Sequence, residues 1–126
     1  MSRRIVITAG AAGLGRAMAE AFCDAGDRVA VCDADAEAVA SINADRPDIR
    51  AEVADVTDPA ALGAFLAGVE ADWGGADVVC SNAGVGGPAG RIEDIGFEDW
   101  RHCIAVNLDG AFLTCRWAAH VMRGHG

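Results

Sequence analysis

The chain alternates between short runs of apolar, β-branched residues and longer segments in which apolar residues recur at helical spacing. The first short run is apolar on both faces, as expected of a parallel strand buried within a sheet. The short runs predict four strands, at residues 4–8, 28–32, 49–53 and 76–80. The longer segments predict four helices, at residues 14–25, 35–44, 59–73 and 97 to about 123. This alternation indicates βαβ units and therefore an α/β fold with a parallel sheet.

Apolar spacing also predicts which faces of the helices are buried. In the third helix, Asp58 is a typical N-cap and Pro59 a typical first helical residue. A single stripe of that helix should face the sheet, formed by Leu62, Phe65, Leu66, Val69 and Trp73. In the first helix the same rule predicts a buried face of Leu14, Ala17, Met18, Ala21 and Phe22.

Composition narrows the functional classes. The 126 residues contain 19 acidic side chains against ten basic ones, all arginine, and their net charge of −9 disfavours binding to nucleic acid or to anionic membranes. Five cysteines without a CxxC pair indicate neither a disulfide framework nor a zinc site, and favour reduced thiols in the cytoplasm. The three histidines lack ligand spacing and are predicted to lie on the surface or in an interface, so we expect no metal. No apolar run is long enough to span a membrane.

A glycine-rich turn, Thr8–Gly15 with the sequence TAGAAGLG, joins the first predicted strand to the first helix. In this context small residues let the backbone approach a pyrophosphate, whose charge is met by free N–H groups at the helix N-terminus. Gly13 and Gly15 would serve that approach and the packing of helix on strand. The candidate cofactor-binding residues of the turn are Ala9, Gly10, Ala12, Gly13, Leu14 and Gly15. The alternative is a tight connection that binds no ligand.

Asp33 follows the turn by 18 residues, at the carboxyl end of the second predicted strand. A carboxylate there accepts hydrogen bonds from the ribose hydroxyls of an adenosine, and it repels a 2′-phosphate. Neither Ala12 nor Ala34 supplies a positive charge to neutralise that phosphate. The sequence therefore favours NAD over NADP, the alternative being that Asp33 is an ordinary helix cap.

Further motifs follow in order: Asp55-Val56 after the third strand, Ser81-Asn82-Ala83-Gly84 after the fourth, and Val106-Asn107-Leu108-Asp109-Gly110 in the last helix. With the glycine-rich turn, they make the chain resemble the short-chain dehydrogenase/reductase family almost from end to end. The resemblance implies a Rossmann-type, doubly wound, three-layer α/β/α fold with strand order 3-2-1-4. It also implies hydride transfer between NAD and a small-molecule alcohol or ketone.

The resemblance assigns roles to individual residues. Asp55 would bind the adenine amino group, and the backbone of Val56 would meet another edge of the ring. The floor beside the cofactor would be formed by Asn82, Ala83 and Gly84, with Val106 a further cofactor-binding residue. Asn107 is the one member of the family's catalytic tetrad in this chain, and it would kink the last helix and hold a water in the proton relay.

Departures from the family's pattern shape the functional prediction. Ala9 stands where the turn has its first glycine, and Ser81 where the family has asparagine. The family's serine and YxxxK pair are expected beyond Gly126, and the 126 residues contain no tyrosine. We therefore expect the N-terminal part of one NAD(P)-binding domain, truncated after the fourth strand and its helix and inactive without the catalytic half. The alternatives are a non-catalytic dinucleotide-binding module that ends at Gly126, or an inert gene fragment.

Large apolar residues on the last helix predict self-association. Trp100, Phe112 and Trp117 lie on this helix, which the resemblance places in a subunit interface. We therefore expect the full-length protein to be a homodimer or homotetramer through it.

Overall fold

A parallel sheet of four strands forms the centre of the structure, a computed structural model that describes residues 2–123. The strands are β1 (Arg4–Thr8), β2 (Arg28–Asp33), β3 (Arg50–Val53) and β4 (Val78–Cys80). They pair in the order β3-β2-β1-β4, and every pairing is parallel. The predicted α/β fold and the strand order implied by the resemblance are confirmed.

Three helices connect the strands: α1 (Gly13–Asp24), α2 (Ala36–Asp45) and α3 (Pro59–Trp73). After β4 come a 3₁₀ turn at Ile92–Asp94, helix α4 (Phe97–Ile104), a π-helical segment (Ala105–Asp109) and helix α5 (Gly110–Met122). These three helical segments follow one another without a break over Phe97–Met122, which matches the extent of the predicted last helix, and its middle turn is π-helical instead of α-helical. Residues 124–126, predicted to end that helix, lie outside the described residues. None of the helices within residues 2–123 is long and apolar enough to span a membrane.

Side chains of the central strands alternate between two hydrophobic cores, one on each face of the sheet. On one face, Val6 and Cys32 pack among residues of α3 and α5, including Phe65 and Val121. On the other, Ile7 and its neighbours pack among residues of α1 and α2; this second core includes Ile5, Ile7, Val29, Val31, Val39 and Ile42. Burial on both faces explains why the three central residues of β1, Ile5, Val6 and Ile7, are all apolar.

The buried face of α1 differs from the prediction. Leu14 is 71% exposed, and Ala17 and Ala21 are also exposed, whereas Gly15 and Ala19 are buried. Gly15 sits so close to the turn after β1 that it fixes the rotation of the helix, and Ala19 follows it on the same face. Met18 and Phe22 do pack against the core as predicted. The stripe predicted for α3 is confirmed, with Trp73 partly buried at its end.

At the amino ends of the strands, two arginine–aspartate pairs tie β1 to its neighbours. Arg3 binds Asp27 with its backbone N–H and its guanidinium, and Asp27 is buried. Arg4 binds Asp77 in the same way, with N···O distances of 2.8–3.0 Å. The Arg4 guanidinium holds the pKa of the Asp77 carboxyl well below its usual range. These pairs lie at the amino ends of the strands, whereas the predicted site lies at their carboxyl ends.

Candidate functional site

The turn after β1 is bound directly to the loop after β4. The Thr8 hydroxyl oxygen accepts hydrogen bonds from the backbone N–H groups of Asn82 (3.0 Å) and Ala83 (3.1 Å). The side-chain amide of Asn82 donates to the carbonyl oxygen of Ala9 at 3.3 Å. Because β1 and β4 are neighbours, these bonds join two carboxyl strand ends into one surface. Ligands bind at such ends in open α/β sheets.

The glycines of the turn have different structural roles. A Cβ added to Gly10 would overlap the side chain of Val31, and one added to Gly15 would overlap the carbonyl oxygen of Ala9. Gly13 has a φ of 56°, in the left-handed region, and within residues 2–123 an added Cβ would meet no heavy atom within 4 Å. Gly10 and Gly15 thus let the backbone segments pack tightly, while the open side of Gly13 leaves room for a ligand. The turn therefore fits a pyrophosphate.

The N-terminus of α1 is left open to an anion. The side chains of Asp35 and Asp58 cap α2 and α3 by accepting hydrogen bonds from backbone N–H groups in the first turn. In contrast, no side chain of the described residues caps α1, and its first turn carries no acidic residue. The N–H groups and the positive end of the helix dipole are available to a negatively charged group.

Asp33 lies at the carboxyl end of β2, and the protein holds its carboxylate in place. Its Oδ2 atom accepts the backbone N–H of Ala11 at 3.2 Å, and Oδ1 accepts that of Asp35 at 3.0 Å. A carboxylate offers about four lone-pair positions, so each oxygen keeps capacity for a hydroxyl group. The same carboxylate therefore orders the turn and offers acceptors to a ribose.

Asp55 presents a second carboxylate after β3. Its Oδ1 atom accepts both the N–H and the hydroxyl of Thr57, at 2.9 and 2.8 Å, and no described residue donates to Oδ2. Oδ2 is available to an amino group. Val56, the next residue, is buried, and a Cβ added to Gly110 would overlap its side chain. The start of α5 therefore approaches Val56 closely because residue 110 is glycine.

Several predicted site residues line one cleft of about 190 Å³, which we call the strand-end cleft. Its lining comprises Ala9, Asp33, Ala34, Ala54, Asp55, Val56, Ala83, Gly84, Val85, His102 and Val106. The other residues of the turn, the Asn82 side chain and Asn107 are not part of this lining. Leu14, a predicted cofactor-binding residue, turns its side chain to solvent, so only its backbone is placed to bind.

His102 is exposed, as predicted, but it also lines the cleft, and the sequence analysis did not predict that role. It lies four residues before Val106, and that spacing places both on one helical face. The spacing was the signal that could have identified it. His120 instead lies 3.7 Å from Glu70, away from the cleft, and His125 lies outside the described residues. Among the described residues no cluster of three or more His, Cys, Asp or Glu is arranged to hold a metal.

Asn107 forms a clamp on the loop that follows β4. Its side-chain oxygen accepts the Val85 N–H and its amide donates to the Val85 carbonyl, both at 2.8 Å. The amide also contacts the Cys103 sulfur at 3.2 Å. Asn107 lies in the π-helical segment, where the Gly110 N–H bonds to the carbonyl of Ala105, five residues earlier. The resemblance implied a kink at Asn107, and the structure has a π-helical turn at that position.

The nearby cysteine thiols are protonated packing groups. Cys32 is fully buried at the end of β2, and burial raises its pKa to about 12. Burial also raises the pKa of Cys80, at the end of β4. A thiol with a raised pKa is a poor nucleophile at neutral pH, so these positions do not supply thiolate chemistry.

A wider groove of about 450 Å³ lies elsewhere, between α3 and α5. Its lining is mostly apolar, and Trp117 donates a hydrogen bond to Glu70 there at 3.2 Å. It lacks the glycine turn and lies away from the strand ends. The smaller strand-end cleft is therefore the candidate cofactor site.

Comparison with known proteins gives one consistent family. A family model described as short chain dehydrogenase matches residues 3–126. The chain is 37% identical over 122 residues to the short chain dehydrogenase/reductase dpmpG of Macrophomina phaseolina, covering 93% of this chain and 70% of that protein. It is 35% identical over 115 residues to D-threitol dehydrogenase of Mycolicibacterium smegmatis, covering 88% of this chain and 44% of that protein.

Solved structures agree with the relatives. A short-chain dehydrogenase from Streptomyces avermitilis superposes with a TM-score of 0.90 at 30% identity, covering 99% of this chain and 46% of that one. A 3-ketoacyl-(acyl-carrier-protein) reductase from Brucella melitensis, solved with NADH, gives a TM-score of 0.83 at 25% identity, covering 90% of this chain and 47% of that one. The chain spans about half the length of most proteins that it matches.

Proposed function

Because this chain belongs to the short-chain dehydrogenase family, we propose that it forms the NAD-binding half of an oxidoreductase that acts on a small-molecule alcohol or ketone. The observation that carries the proposal is the pair of hydrogen bonds joining Asp33 to Ala11 and Asp35. Through these bonds one carboxylate links the phosphate-binding turn to the start of α2. The pyrophosphate and the ribose of a dinucleotide then meet adjacent, preordered groups.

Each part of the cofactor has a complementary group. The turn offers its backbone to the pyrophosphate, through Ala9, Gly10, Ala12, Gly13, Leu14 and Gly15. Asp33 accepts the ribose hydroxyls, and the free Oδ2 atom of Asp55 accepts the adenine amino group. The walls around the base are provided by Val56, Ala83, Gly84 and Val106, with Asn82 supporting the turn from behind.

A bound nicotinamide supplies the hydride donor for reduction and the hydride acceptor for oxidation. The residues of this chain position that group. Asn107 fixes the loop at Val85 and the π-helical segment. Proton transfer to or from a substrate needs a separate acid or base, and the 126 residues contain neither tyrosine nor lysine. We therefore propose that this chain alone binds the cofactor without turnover.

The second candidate function is a non-catalytic dinucleotide-binding module. Cofactor binding requires neither tyrosine nor lysine, so the binding groups described above would serve this candidate equally well. The two candidates are separated by an assay of the protein encoded by the complete reading frame. NAD-dependent oxidation of an alcohol panel supports the oxidoreductase, whereas NAD binding with no turnover on any member supports the module.

Calorimetry on two Asp33 variants tests the cofactor assignment. Asp33→Ala removes hydrogen bonds to a charged group, each worth about 1.5–3 kcal/mol, so NAD affinity should fall roughly tenfold or more. NADP affinity should fall less, because the repulsion of a 2′-phosphate disappears as well. Asp33→Asn keeps an acceptor for the Ala11 N–H, so it should disturb the turn less while shifting the preference in the same direction.

Asp35→Asn is the matched control for these variants. Asp35 is also an aspartate that accepts backbone N–H groups, but it caps α2 and does not line the strand-end cleft. Its replacement should leave the ratio of NAD to NADP affinity unchanged. An unchanged ratio in both Asp33 variants would refute the assignment of Asp33 as the ribose ligand.

We also propose that the full-length protein forms a homodimer or homotetramer through α4 and α5. Support comes from large apolar side chains exposed on these helices and the segment between them: Phe97, Trp100, Leu108 and Phe112. Trp117 is partly buried against α3, so its ring is largely covered within the chain. Light scattering should give a multiple of the chain mass, and Phe112→Glu should lower it. A monomeric mass for the unaltered protein contradicts this proposal.

A further inference from the structure

His102 is the one aromatic side chain that lines the strand-end cleft among the described residues. The other lining residues are two aspartates, a glycine and small apolar side chains. Within residues 2–123 the imidazole makes no hydrogen bond or ion pair, whereas Asp33 and Asp55 are both held by the protein. The ring is therefore free to contact a ligand.

The position of His102 follows from the helix that carries it. His102 and Val106 face the cleft from the α4 side, four residues apart. Val106 and Val56 are the buried valines of the lining, while His102 is exposed and stands at the rim. A flat group resting on the two valines would lie beneath or beside the imidazole ring.

We propose that His102 contacts the adenine ring of the bound dinucleotide by stacking, and so determines affinity for the adenine half of the cofactor. This inference rests on the proposed function, which places adenine between Asp55 and Val106. Valine side chains cover only one face of a base, and the carboxylate of Asp55 meets only its edge. An aromatic ring at the rim supplies the remaining contact, which is favourable because both groups are planar π-systems.

The test compares variants by calorimetry with NAD and with ADP-ribose, which shares the adenosine and pyrophosphate but lacks nicotinamide. His102→Ala should weaken both ligands about fivefold or more, the effect expected when one base–aromatic stack is lost. His102→Phe keeps a flat ring and should bind both within about twofold of the unaltered protein. Equal losses for NAD and ADP-ribose place the contact on the half that they share.

Arg101→Ala is the matched control, since Arg101 is the neighbouring residue on α4 and lies over the Phe97 ring instead of the cleft. It should leave both affinities unchanged. The inference is overturned if His102→Ala binds both ligands as tightly as the unaltered protein, or if His102→Phe loses as much affinity as His102→Ala. In either case NAD binding by the unaltered protein still supports the proposed function. If the unaltered protein binds neither ligand, the proposed function and this inference both fall.

Discussion

Replacing Gly15 with alanine tests the tightest contact of the candidate site. The added Cβ would lie 2.7 Å from the side-chain nitrogen of Asn82 and 2.9 Å from the Cα of Gly10, and it would overlap the carbonyl oxygen of Ala9. Two of these three atoms belong to the backbone of the turn, so neither can rotate away. The turn must shift relative to α1, and the N–H groups proposed to hold the pyrophosphate shift with it.

The magnitude is set by two opposing effects. Alanine is favoured over glycine in a helix by about 1 kcal/mol. Overpacking a tight site costs about 1–3 kcal/mol. Gly63→Ala reports the first effect alone, because Gly63 also lies in a helix but an added Cβ there meets no heavy atom of residues 2–123 within 4 Å. We expect Gly15→Ala to be less stable than Gly63→Ala by about 1–3 kcal/mol, the overpacking cost alone.

Urea denaturation followed by circular dichroism measures this difference from the two midpoints at a common slope. Calorimetry with NAD provides the functional readout, in which Gly15→Ala should lose affinity and Gly63→Ala should not. Gly63 lines the groove between α3 and α5, away from the strand-end cleft. Equal midpoints and equal affinities for the two variants would refute the view that the turn and α1 are tightly joined.

Three further substitutions probe the site and its support. Ala9 has a left-handed φ of 53°, a backbone conformation that costs alanine about 1 kcal/mol. Ala9→Gly should therefore keep or raise the urea midpoint, and a lower midpoint would contradict the proposed strain at Ala9. Asn107→Ala removes two hydrogen bonds to Val85 and should lower the free energy of unfolding by about 1–3 kcal/mol. Hydrogen exchange at the Val85 amide should become faster, and unchanged exchange would argue against the clamp. Asp77→Asn should lower the free energy of unfolding at pH 7 and flatten its pH dependence below about 4. The reason is that Arg4 lowers the pKa of Asp77 in the folded state, so the stabilisation from this carboxylate is lost as the pH falls through the folded-state pKa. Parallel stability curves for the variant and the unaltered protein would contradict this.

Much of the fold could be predicted because local residue patterns decide it. The apolar run of β1 requires burial on both faces, and Asp58-Pro59 begins α3 where expected. The fourth strand is shorter than predicted, covering Val78–Cys80 where residues 76–80 were expected. Within residues 2–123 it pairs with β1 alone, so its extent is set by the three positions paired with β1 and not by its own apolar pattern.

The features that the sequence did not predict all depend on contacts between distant segments. The rotation of α1, which exposes Leu14, follows from the contact of Gly15 with the turn and with Asn82. The π-helical segment accompanies the clamp between Asn107 and Val85, 22 residues apart. Helical periodicity continues through that segment, so only the family resemblance, which implied a kink at Asn107, indicated a departure from the regular α-helix there. His102 likewise becomes a cleft residue only when the fold brings it beside the residues that follow the strands.

Asp33 holds the turn through the Ala11 N–H and is proposed to bind the ribose, and this combination limits how cofactor preference can change. A positive charge introduced at Ala34 would attract a 2′-phosphate, but the Asp33 carboxylate would still repel it. Removing the carboxylate with alanine also frees the Ala11 N–H and loosens the turn on which both dinucleotides depend. A switch to NADP therefore requires a neutral acceptor at position 33 together with a cation at position 34. Asp33→Asn with Ala34→Arg meets both conditions, and Asp33→Ala with Ala34→Arg should bind NADP more weakly because it meets only one.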